Sequence, residues 1–295
     1  MTDFLDSELS AAERDPARSR FTIIPVPLER TVSYGSGTAG GPAAILQASN
    51  ELERICQIGE LVLEPCRSGI DTQPPVDCSG PLPQIMQAIG KRTFDAVSND
   101  KLPVVLGGEH SLSYGAVTGV QKALGRPLGL VQIDAHADLR VAYQGNEHSH
   151  ASVMHLLAEE NVRLAQFGVR ALCREEMQSR RDNNVFHVDS EELVTGNIHQ
   201  IALPDDFPQD IYVSFDVDGL DPSLMPATGT PVPGGLGFHQ ALHLVEHALQ
   251  GRNCVGLDVV ELAPDGNPAW DFTATQIVYR LMAATLLREA SLSVD

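Results

Sequence analysis

The sequence has few cysteines, few basic residues and no long hydrophobic run, and each shortage excludes a class of protein. Its five cysteines are odd in number and form no CxxC pair, which indicates reduced thiols and a cytoplasmic protein. Lys and Arg total 20 against 39 Asp and Glu, without a dense basic segment, so nucleic acid is excluded as a partner. No apolar run of about 18 residues occurs, so we predict no membrane span. Residues 1–20 also lack the apolar stretch of a secretory signal.

The excess of acid gives the chain a formal net charge of −19. A field of this sign favours cationic ligands. Net charge does not locate a site, however, and the simpler interpretation is that the acidic surface maintains solubility.

Short apolar runs alternate with longer, helix-like segments along the chain. Several runs are apolar on both faces and rich in Val and Ile, as in parallel strands buried between helix layers. The predicted strands are Phe21–Val26, Pro103–Leu106, Leu128–Ile133, Arg163–Phe167, Val185–Val188, Ile211–Phe215 and Cys254–Val260. The predicted helices are Gly41–Leu52, Leu82–Ser98, Ser113–Leu124, Ala151–Glu160, Phe238–Gln250 and Ala274–Ala290. The alternation predicts one doubly wound α/β domain over residues 1–295, with residues 1–20 as a poorly structured or loosely packed extension.

Two proline-rich loops interrupt this alternation. The segment Pro65–Pro83 is predicted to be a surface excursion. The segment Gly219–Gly237 follows an acidic strand end, and an ordered loop of this length is more often functional than idle.

Three clusters of carboxylates and histidines each follow a predicted strand. They are Gly107-Gly108-Glu109-His110, Asp134-Ala135-His136-Ala137-Asp138 and Asp216-Val217-Asp218. In an extended backbone alternate side chains share one face, so Asp134, His136 and Asp138 would converge. The carboxyl ends of parallel strands open on one side of the sheet, where such folds place ligands. Alone, the first and third motifs are weak and the second already favours a metal, but grouped buried carboxylates need positive charge, so together they predict a metal site.

The clusters supply two histidines and four aspartates, which is more ligand charge than one small cation needs. We therefore predict a pair of divalent metals. Carboxylate-rich ligation without sulfur suits Mn²⁺ and argues against a structural zinc, while nickel, cobalt and iron stay open. Two ions about 3.5–4 Å apart can lower the pKa of a shared water, which predicts hydrolysis by a hydroxide nucleophile.

Further polar residues admit two interpretations each. Glu261 follows the predicted strand Cys254–Val260, which also contains Asp258, and it either binds a cationic group in the same pocket or is a solvated edge carboxylate. His150 either relays protons or is an exposed residue at the start of a helix. The histidines that recur every four residues on one predicted helix flank its apolar face and are interpreted as a solvated or boundary face: His239, His243 and His247.

The combined motifs resemble the ureohydrolase family, which contains arginase and agmatinase. The resemblance covers nearly the whole chain and rests on Ser33–Thr38, Gly107–Ser111, Asp134–Asp138, Ser214–Pro222 and Thr228–Leu236. It implies a three-layer α/β/α fold with a mainly parallel central sheet, assembly into trimers or hexamers, and two Mn²⁺ ions per subunit.

The resemblance also implies a role for each site residue. One manganese would be held by His110, Asp134, Asp138 and Asp216, and the second by His136, Asp134, Asp216 and Asp218. Asp134 and Asp216 would then bridge the two ions, and Asp138 would orient the hydroxide. Glu261 would bind the substrate guanidinium, and His150 would shuttle a proton to the leaving amine.

The loop before His150 departs from the arginases, whose corresponding loop binds the α-amino acid group, and Ser149–Ser152 looks like the agmatinases instead. Hydrolysis of agmatine to putrescine and urea is therefore the leading expectation, with a small cationic guanidino compound as the partner. Guanidinobutyrate, formiminoglutamate and arginine stay open as substrates. Outside this chemistry, a non-catalytic metal-binding protein and a two-metal phosphoesterase stay open, although Arg/Lys clamps for phosphate are missing near the motifs.

Overall fold

A parallel sheet forms the centre of the computed structural model, which describes residues 2–292 and the side chains of residues 2–289. The strands are β1 (Phe21–Val26), β2 (Cys56–Ile58), β3 (Leu61–Leu63), β4 (Ile70–Thr72), β5 (Leu102–Gly107), β6 (Leu128–Ile133), β7 (Arg163–Phe167), β8 (Phe186–Val188), β9 (Asp210–Asp216) and β10 (Asn253–Val260). Eight of them pair in the order β4-β1-β5-β10-β9-β6-β7-β8, and every pairing is parallel. The other two, β2 and β3, form a separate antiparallel pair.

Helices connect these strands and cover both faces of the sheet. They are α1 (Gly41–Ala48), α2 (Leu82–Ser98), α3 (Leu112–Leu124), α4 (Val153–Glu159), α5 (Arg174–Asp182), α6 (Ser190–Thr195), α7 (Phe238–Ala248), α8 (Pro268–Ala284) and α9 (Leu287–Leu292). Within the described residues, none of these helices is long and apolar enough to cross a membrane.

The core consists of two hydrophobic clusters, one on each face of the sheet. Alternate residues of one strand belong to different clusters: Val131 and Ile133 of β6 face the side of α1, α7 and α8, whereas Leu128 and Leu130 face α2, α3 and α4. Because both faces of each strand are buried, the strands read as nearly continuous apolar runs. The predicted three-layer α/β/α fold with a parallel central sheet is confirmed.

The register of the sheet brings the ends of its central strands to one edge. Gly107 of β5 lies beside Val26 of β1, and Asp216 of β9 lies beside Val260 of β10. Ile133 of β6 lies beside Phe215 of β9. The residues that follow β5, β6, β9 and β10 therefore meet at the same place, as expected for a parallel sheet.

The N-terminal segment packs more tightly than its composition predicts. Phe4 and Leu5 are fully buried. The Phe4 N–H donates to the Thr72 hydroxyl at 3.0 Å, and the Leu5 N–H donates to the Ser49 hydroxyl at 2.9 Å. The expectation of a loosely packed extension over residues 1–20 is therefore wrong for this part, because a few apolar residues anchor a polar segment. The assignment of the whole chain to one domain stays a prediction.

Several short elements escaped prediction. The predicted excursion Pro65–Pro83 contains β4, which pairs with β1 in the main sheet. Helix α5 has no apolar stripe, since its buried residues are Glu176 and Arg180, so hydrophobic periodicity could not reveal it.

The last long helix begins at Pro268 and ends at Ala284, whereas Ala274–Ala290 was predicted. A proline at the first turn starts a helix well, and this signal was missed.

Candidate metal centre

Three carboxylates surround one nitrogen of His110 at the ends of β5, β6 and β9. His110 Nδ1 lies 3.2 Å from Asp134 Oδ2, 3.2 Å from Asp138 Oδ2 and 3.3 Å from Asp216 Oδ2. All four side chains are buried. His110, Asp134 and Asp216 offer ligand atoms that lie within 4.8 Å of one another, a spacing that one cation can span.

A second group of donors lies next to the first and shares Asp134 with it. His136 Nδ1 lies 3.1 Å from Asp218 Oδ2 and 3.5 Å from Asp134 Oδ1. The two oxygens of Asp134 thus face different histidines, Oδ2 towards His110 and Oδ1 towards His136. This arrangement can hold two cations side by side with Asp134 between them. Asp216 Oδ1 accepts the backbone N–H of Asp218 at 2.8 Å, so Asp216 also lies beside the second group, while its role as a bridging ligand stays a prediction.

The tautomer of His110 is set by a hydrogen-bonded pair behind it. Ser214 Oγ lies 2.8 Å from His110 Nε2 and donates its proton to Asp258 Oδ1 at 2.7 Å. Since the hydroxyl proton is committed to Asp258, the hydroxyl accepts from Nε2–H, and the neutral ring that a metal requires has its lone pair on Nδ1. The nitrogen that faces the three carboxylates is therefore the one able to bind a metal.

A buried chain of polar side chains supports Asp134. Gln132 Nε2 donates to Asp134 Oδ2 at 2.6 Å, and Gln166 Nε2 donates to Gln132 Oε1 at 2.7 Å. Arg180, which is 3% exposed, donates to Gln166 Oε1 at 2.9 Å. These bonds fix the orientation of the carboxylate that the two groups share.

The backbone around the site is held in unusual conformations. A Cβ on Gly108 would lie 2.0 Å from the Leu28 carbonyl oxygen, so only glycine allows β5 to turn here. Asp138 and Glu261 have positive φ angles of 52° and 65°. Such a conformation costs a non-glycine residue about 1–2 kcal/mol and is found where function requires it. The expected extended backbone through Asp138 is therefore wrong: β6 ends at Ile133, and a left-handed residue turns the Asp138 carboxylate towards His110.

Glu261 and His150 line the same narrow cavity as the two donor groups. Its walls also include the loop from Val32 to Gly35 and the segment Gly229–Thr230. Glu261 Oε1 accepts the His110 N–H at 2.6 Å. His150 lies in a short 3₁₀ turn, and its Nδ1 is 3.1 Å from the Thr31 hydroxyl. The structure thus brings all eight predicted site residues to one place, while their individual roles stay proposals.

The electrostatics of the cavity call for added positive charge. Burial, together with Asp218 and Asp134, raises the pKa of Asp216 well above its ordinary value. Burial also raises the pKa of Glu261 to about 8. For His110, burial lowers the pKa, but the surrounding aspartates outweigh it and raise the pKa well above normal. No Lys or Arg is among the described residues that line the cavity.

The donor set fits divalent cations. His110 Nδ1 is a buried nitrogen without a hydrogen-bond donor or acceptor partner, although three carboxylates face it. A cation in their midst would satisfy this nitrogen and offset the repulsion among the aspartates. Imidazole and carboxylate donors without sulfur are the ligands of Mn²⁺ and similar ions.

The remaining histidines and the cysteines stay outside this centre. Along the described chain, both groups of residues able to hold a metal belong to the cavity, and neither includes a residue of α7. His239 on α7 is exposed, and its ring lies 6.0 Å from that of His243. The five cysteines are free thiols, and none lines the cavity.

Sequence reasoning missed several supporting residues. Arg170 donates to the backbone carbonyls of Asp218 at 2.7 Å and of Val232 at 2.9 Å, so it ties the long loop to the segment that carries Asp218. Spacing places Glu109 in a motif but does not reveal that it accepts hydrogen bonds from the backbone and hydroxyl of Thr31. The buried Gln132 was the one available signal, because an isolated polar residue in an apolar strand needs a partner.

The chain matches known proteins over most of its length. The sequence profile of the arginase family matches residues 19–289. An N(1)-aminopropylagmatine ureohydrolase from Synechocystis is 34% identical, with 95% of this chain and 92% of that protein covered. An N(1)-aminopropylagmatine ureohydrolase from Thermus thermophilus is 36% identical, with 93% of each chain covered.

The fold also matches that of a ureohydrolase whose structure has been solved. The agmatine ureohydrolase of Thermoplasma volcanium superposes with a TM-score of 0.82 at 27% sequence identity, covering 98% of both chains. The family match and the relatives confirm the resemblance that the motifs indicated. This chain therefore belongs to the arginase family and is an agmatinase-like ureohydrolase.

Proposed function

We propose that this protein is a binuclear manganese hydrolase that converts a terminal guanidinium to urea and a primary amine, with agmatine as the leading substrate. The observation that carries the proposal is the pair of donor groups that share Asp134, with Glu261 in the same cavity. Two metal sites beside a buried carboxylate suit a reaction in which water attacks a cationic, planar carbon.

The residues of the two groups would hold the ions. His110, Asp134, Asp138 and Asp216 would bind one Mn²⁺, and His136, Asp134, Asp216 and Asp218 would bind the other. When bound, a pair of divalent ions supplies Lewis-acid activation of water at neutral pH.

Glu261 is the residue best suited to bind the guanidinium. Its carboxylate is buried, and no Lys or Arg side chain lines the cavity within the described residues. A substrate cation would therefore satisfy it. The hydrogen bond from the His110 N–H fixes one carboxylate oxygen, so the guanidinium would be held in a defined orientation.

Asp138 and His150 would handle protons. Asp138 would accept a hydrogen bond from the attacking water and aim it at the guanidinium carbon. When the C–N bond breaks, the leaving nitrogen takes the electron pair and needs a proton, which His150 would supply. Both residues line the cavity, as these roles require.

The lining of the cavity favours agmatine over substrates that carry a carboxylate. Arginine, guanidinobutyrate and formiminoglutamate each have one, and a buried carboxylate requires a cationic partner. The described lining residues include no Lys or Arg to serve as that partner, and the donor histidines would be occupied by metal, which also argues against phosphate esters. N(1)-aminopropylagmatine is a second candidate, because the Synechocystis and Thermus relatives carry that name and the compound also lacks a carboxylate.

A substrate panel tests the proposal. Urea release is measured from agmatine, N(1)-aminopropylagmatine, arginine and guanidinobutyrate, and formamide release from formiminoglutamate, with Mn²⁺ present and the metal content determined on the same sample. We expect turnover of one of the first two substrates and two bound ions per chain. Asp134→Asn should abolish both, whereas the exposed Asp205→Asn serves as the matched control. Equal activity of Asp134→Asn and wild type would overturn the mechanism, and metal binding without turnover would indicate a non-catalytic protein.

The trimer or hexamer implied by the family also stays a proposal. Light scattering on the purified protein would measure the mass of the assembly. A monomeric mass would contradict it.

A further inference from the structure

A hydrogen-bonded chain connects Glu109, through the Thr31 hydroxyl, to the ring of His150. The Thr31 hydroxyl lies 2.9 Å from Glu109 Oε1 and 3.1 Å from His150 Nδ1. The same hydroxyl oxygen accepts the backbone N–H of His150 at 3.0 Å. Thr31 therefore contacts His150 twice, once through the backbone and once through the ring.

The direction of each hydrogen bond follows from the partners of Glu109. Its Oε2 accepts the N–H of Arg30 at 2.5 Å and the N–H of Thr31 at 2.6 Å, and its Oε1 accepts the Ser111 hydroxyl. Glu109 is fully buried. A carboxylate surrounded by donors only accepts hydrogen bonds, so the Thr31 hydroxyl uses its single O–H to donate a hydrogen bond to Glu109.

The hydroxyl of Thr31 is then left with two lone pairs for His150. One lone pair accepts the hydrogen bond from the backbone N–H, so the other must accept a hydrogen bond from Nδ1–H of the ring. We propose that Glu109 and Thr31 are positioning residues that hold His150 in the Nδ1–H tautomer and keep Nε2 free for the leaving amine. This inference rests on the proposed role of His150 in the ureohydrolase reaction.

The arrangement explains why Glu109 is buried beside a metal-binding residue without facing a metal. Its oxygens are occupied by the Arg30–Thr31 backbone, the Thr31 hydroxyl and the Ser111 hydroxyl. Glu109 thus holds the backbone just before the loop from Val32 to Gly35 and, through the Thr31 hydroxyl, the ring of His150. In the Nδ1–H tautomer, Nε2 is the nitrogen that takes up a proton and passes it to the leaving amine.

The experiment compares Thr31→Val with Thr31→Ser. Valine has nearly the same shape as threonine but lacks the hydroxyl, whereas serine keeps it. Thr118→Val is the matched control, because the Thr118 hydroxyl bonds carbonyls of its own helix. The first measurement is the ¹⁵N spectrum of histidine-labelled protein, in which the two ring tautomers differ, with His150 assigned from a His150→Gln sample.

We expect the Nδ1–H tautomer of His150 in wild type, Thr31→Ser and Thr118→Val, and its loss in Thr31→Val. On the best substrate of the panel, Thr31→Val should lower kcat about tenfold or more and shift the pH profile of kcat, with KM changed less than about threefold. Thr31→Ser should restore most of kcat.

Three results would overturn the inference. One is an Nε2–H tautomer in the wild type, another is an unchanged tautomer in Thr31→Val, and the third is a failure of Thr31→Ser to restore kcat. The first two need no turnover, so they separate this inference from the proposed function. If no substrate of the panel is hydrolysed, the function fails while the spectrum still decides the tautomer.

Discussion

The imidazole of His110 and the hydroxyl of Ser214 meet at 2.8 Å, with the hydroxyl bonded in turn to Asp258. This contact decides which nitrogen of His110 is free to bind a metal. It also ties the end of β5 to β9 through side chains, in addition to the hydrogen bonds that join the strands through β10.

Replacement of Ser214 by alanine should weaken metal binding without removing a ligand. Outer partners of metal-binding histidines contribute about 10–100-fold in affinity, and we expect a loss in that range. Competition with a fluorescent chelator would measure it. Thr22→Val is the matched control, because it also removes a fully buried hydroxyl from the sheet, on β1. Equal manganese affinity in Ser214→Ala and the control would contradict the role of Ser214.

Gln132 provides a test of the buried chain behind Asp134. Gln132→Leu removes a donor to Asp134 and one of the two acceptors of Gln166 Nε2, so buried polar groups each lose a hydrogen bond. Each unsatisfied group costs about 1–3 kcal/mol, and the free energy of unfolding in urea should fall by at least one such amount. Gln87→Leu on the exposed face of α2 should change it by less than about 0.5 kcal/mol. If the metal-free Gln132→Leu protein is as stable as metal-free wild type, this hydrogen-bonded chain does not contribute to stability.

Gly108 should not tolerate a side chain. The Cβ of Gly108→Ala would lie 2.0 Å from the Leu28 carbonyl oxygen, so the backbone would have to move at the point that carries His110. We expect a melting temperature at least about 4 °C lower and weaker metal binding. Gly80→Ala is the control, since its Cβ would meet only ordinary contacts, the nearest at 3.6 Å. An unchanged melting temperature for Gly108→Ala would show that the turn can relax.

The ion pair between Glu13 and Arg54 should make stability depend on pH. Arg54 donates to Glu13 Oε1 at 2.6 Å and lowers the pKa of Glu13 from 4.5 to about 2. The folded pKa lies below the unfolded one, so the stabilisation is present above about pH 4.5 and is lost as the pH falls towards 2. Across this pH window, the free energy of unfolding in urea should fall less steeply with decreasing pH for Glu13→Gln than for wild type. Identical slopes would contradict the contribution of this pair.

The sequence predicted the framework of the fold because apolar runs on buried strands are nearly unmistakable. Residues Phe21–Val26, Leu128–Ile133 and Arg163–Phe167 were predicted with their observed bounds. Three-residue strands such as β4 are too short to show a period, and α5 shows none because its buried side chains are charged. The anchoring of Phe4 depends on partners such as Thr72, 68 residues away, and no local pattern contains that contact.

The sequence predicted which carboxylates and histidines meet at the site better than it predicted the contacts that support them. Carboxylates and histidines at strand ends identify themselves by residue type and position. The left-handed backbone of Asp138 and the bond from Thr31 to His150 depend instead on how distant segments pack, and spacing alone does not encode them. The correct grouping of Asp134, His136 and Asp138 was reached through an extended geometry that the chain does not adopt.

The order of the strands in the sheet has a consequence for biosynthesis. The donors come from segments after β5, β6 and β9, while β10, which delivers Glu261 and separates β5 from β9, follows all three of these strands in the chain. A nascent chain cannot complete this pocket until β10 has been made and has inserted between its two neighbours. Any metal offered earlier would meet only scattered carboxylates, so metal binding should follow the folding of the sheet.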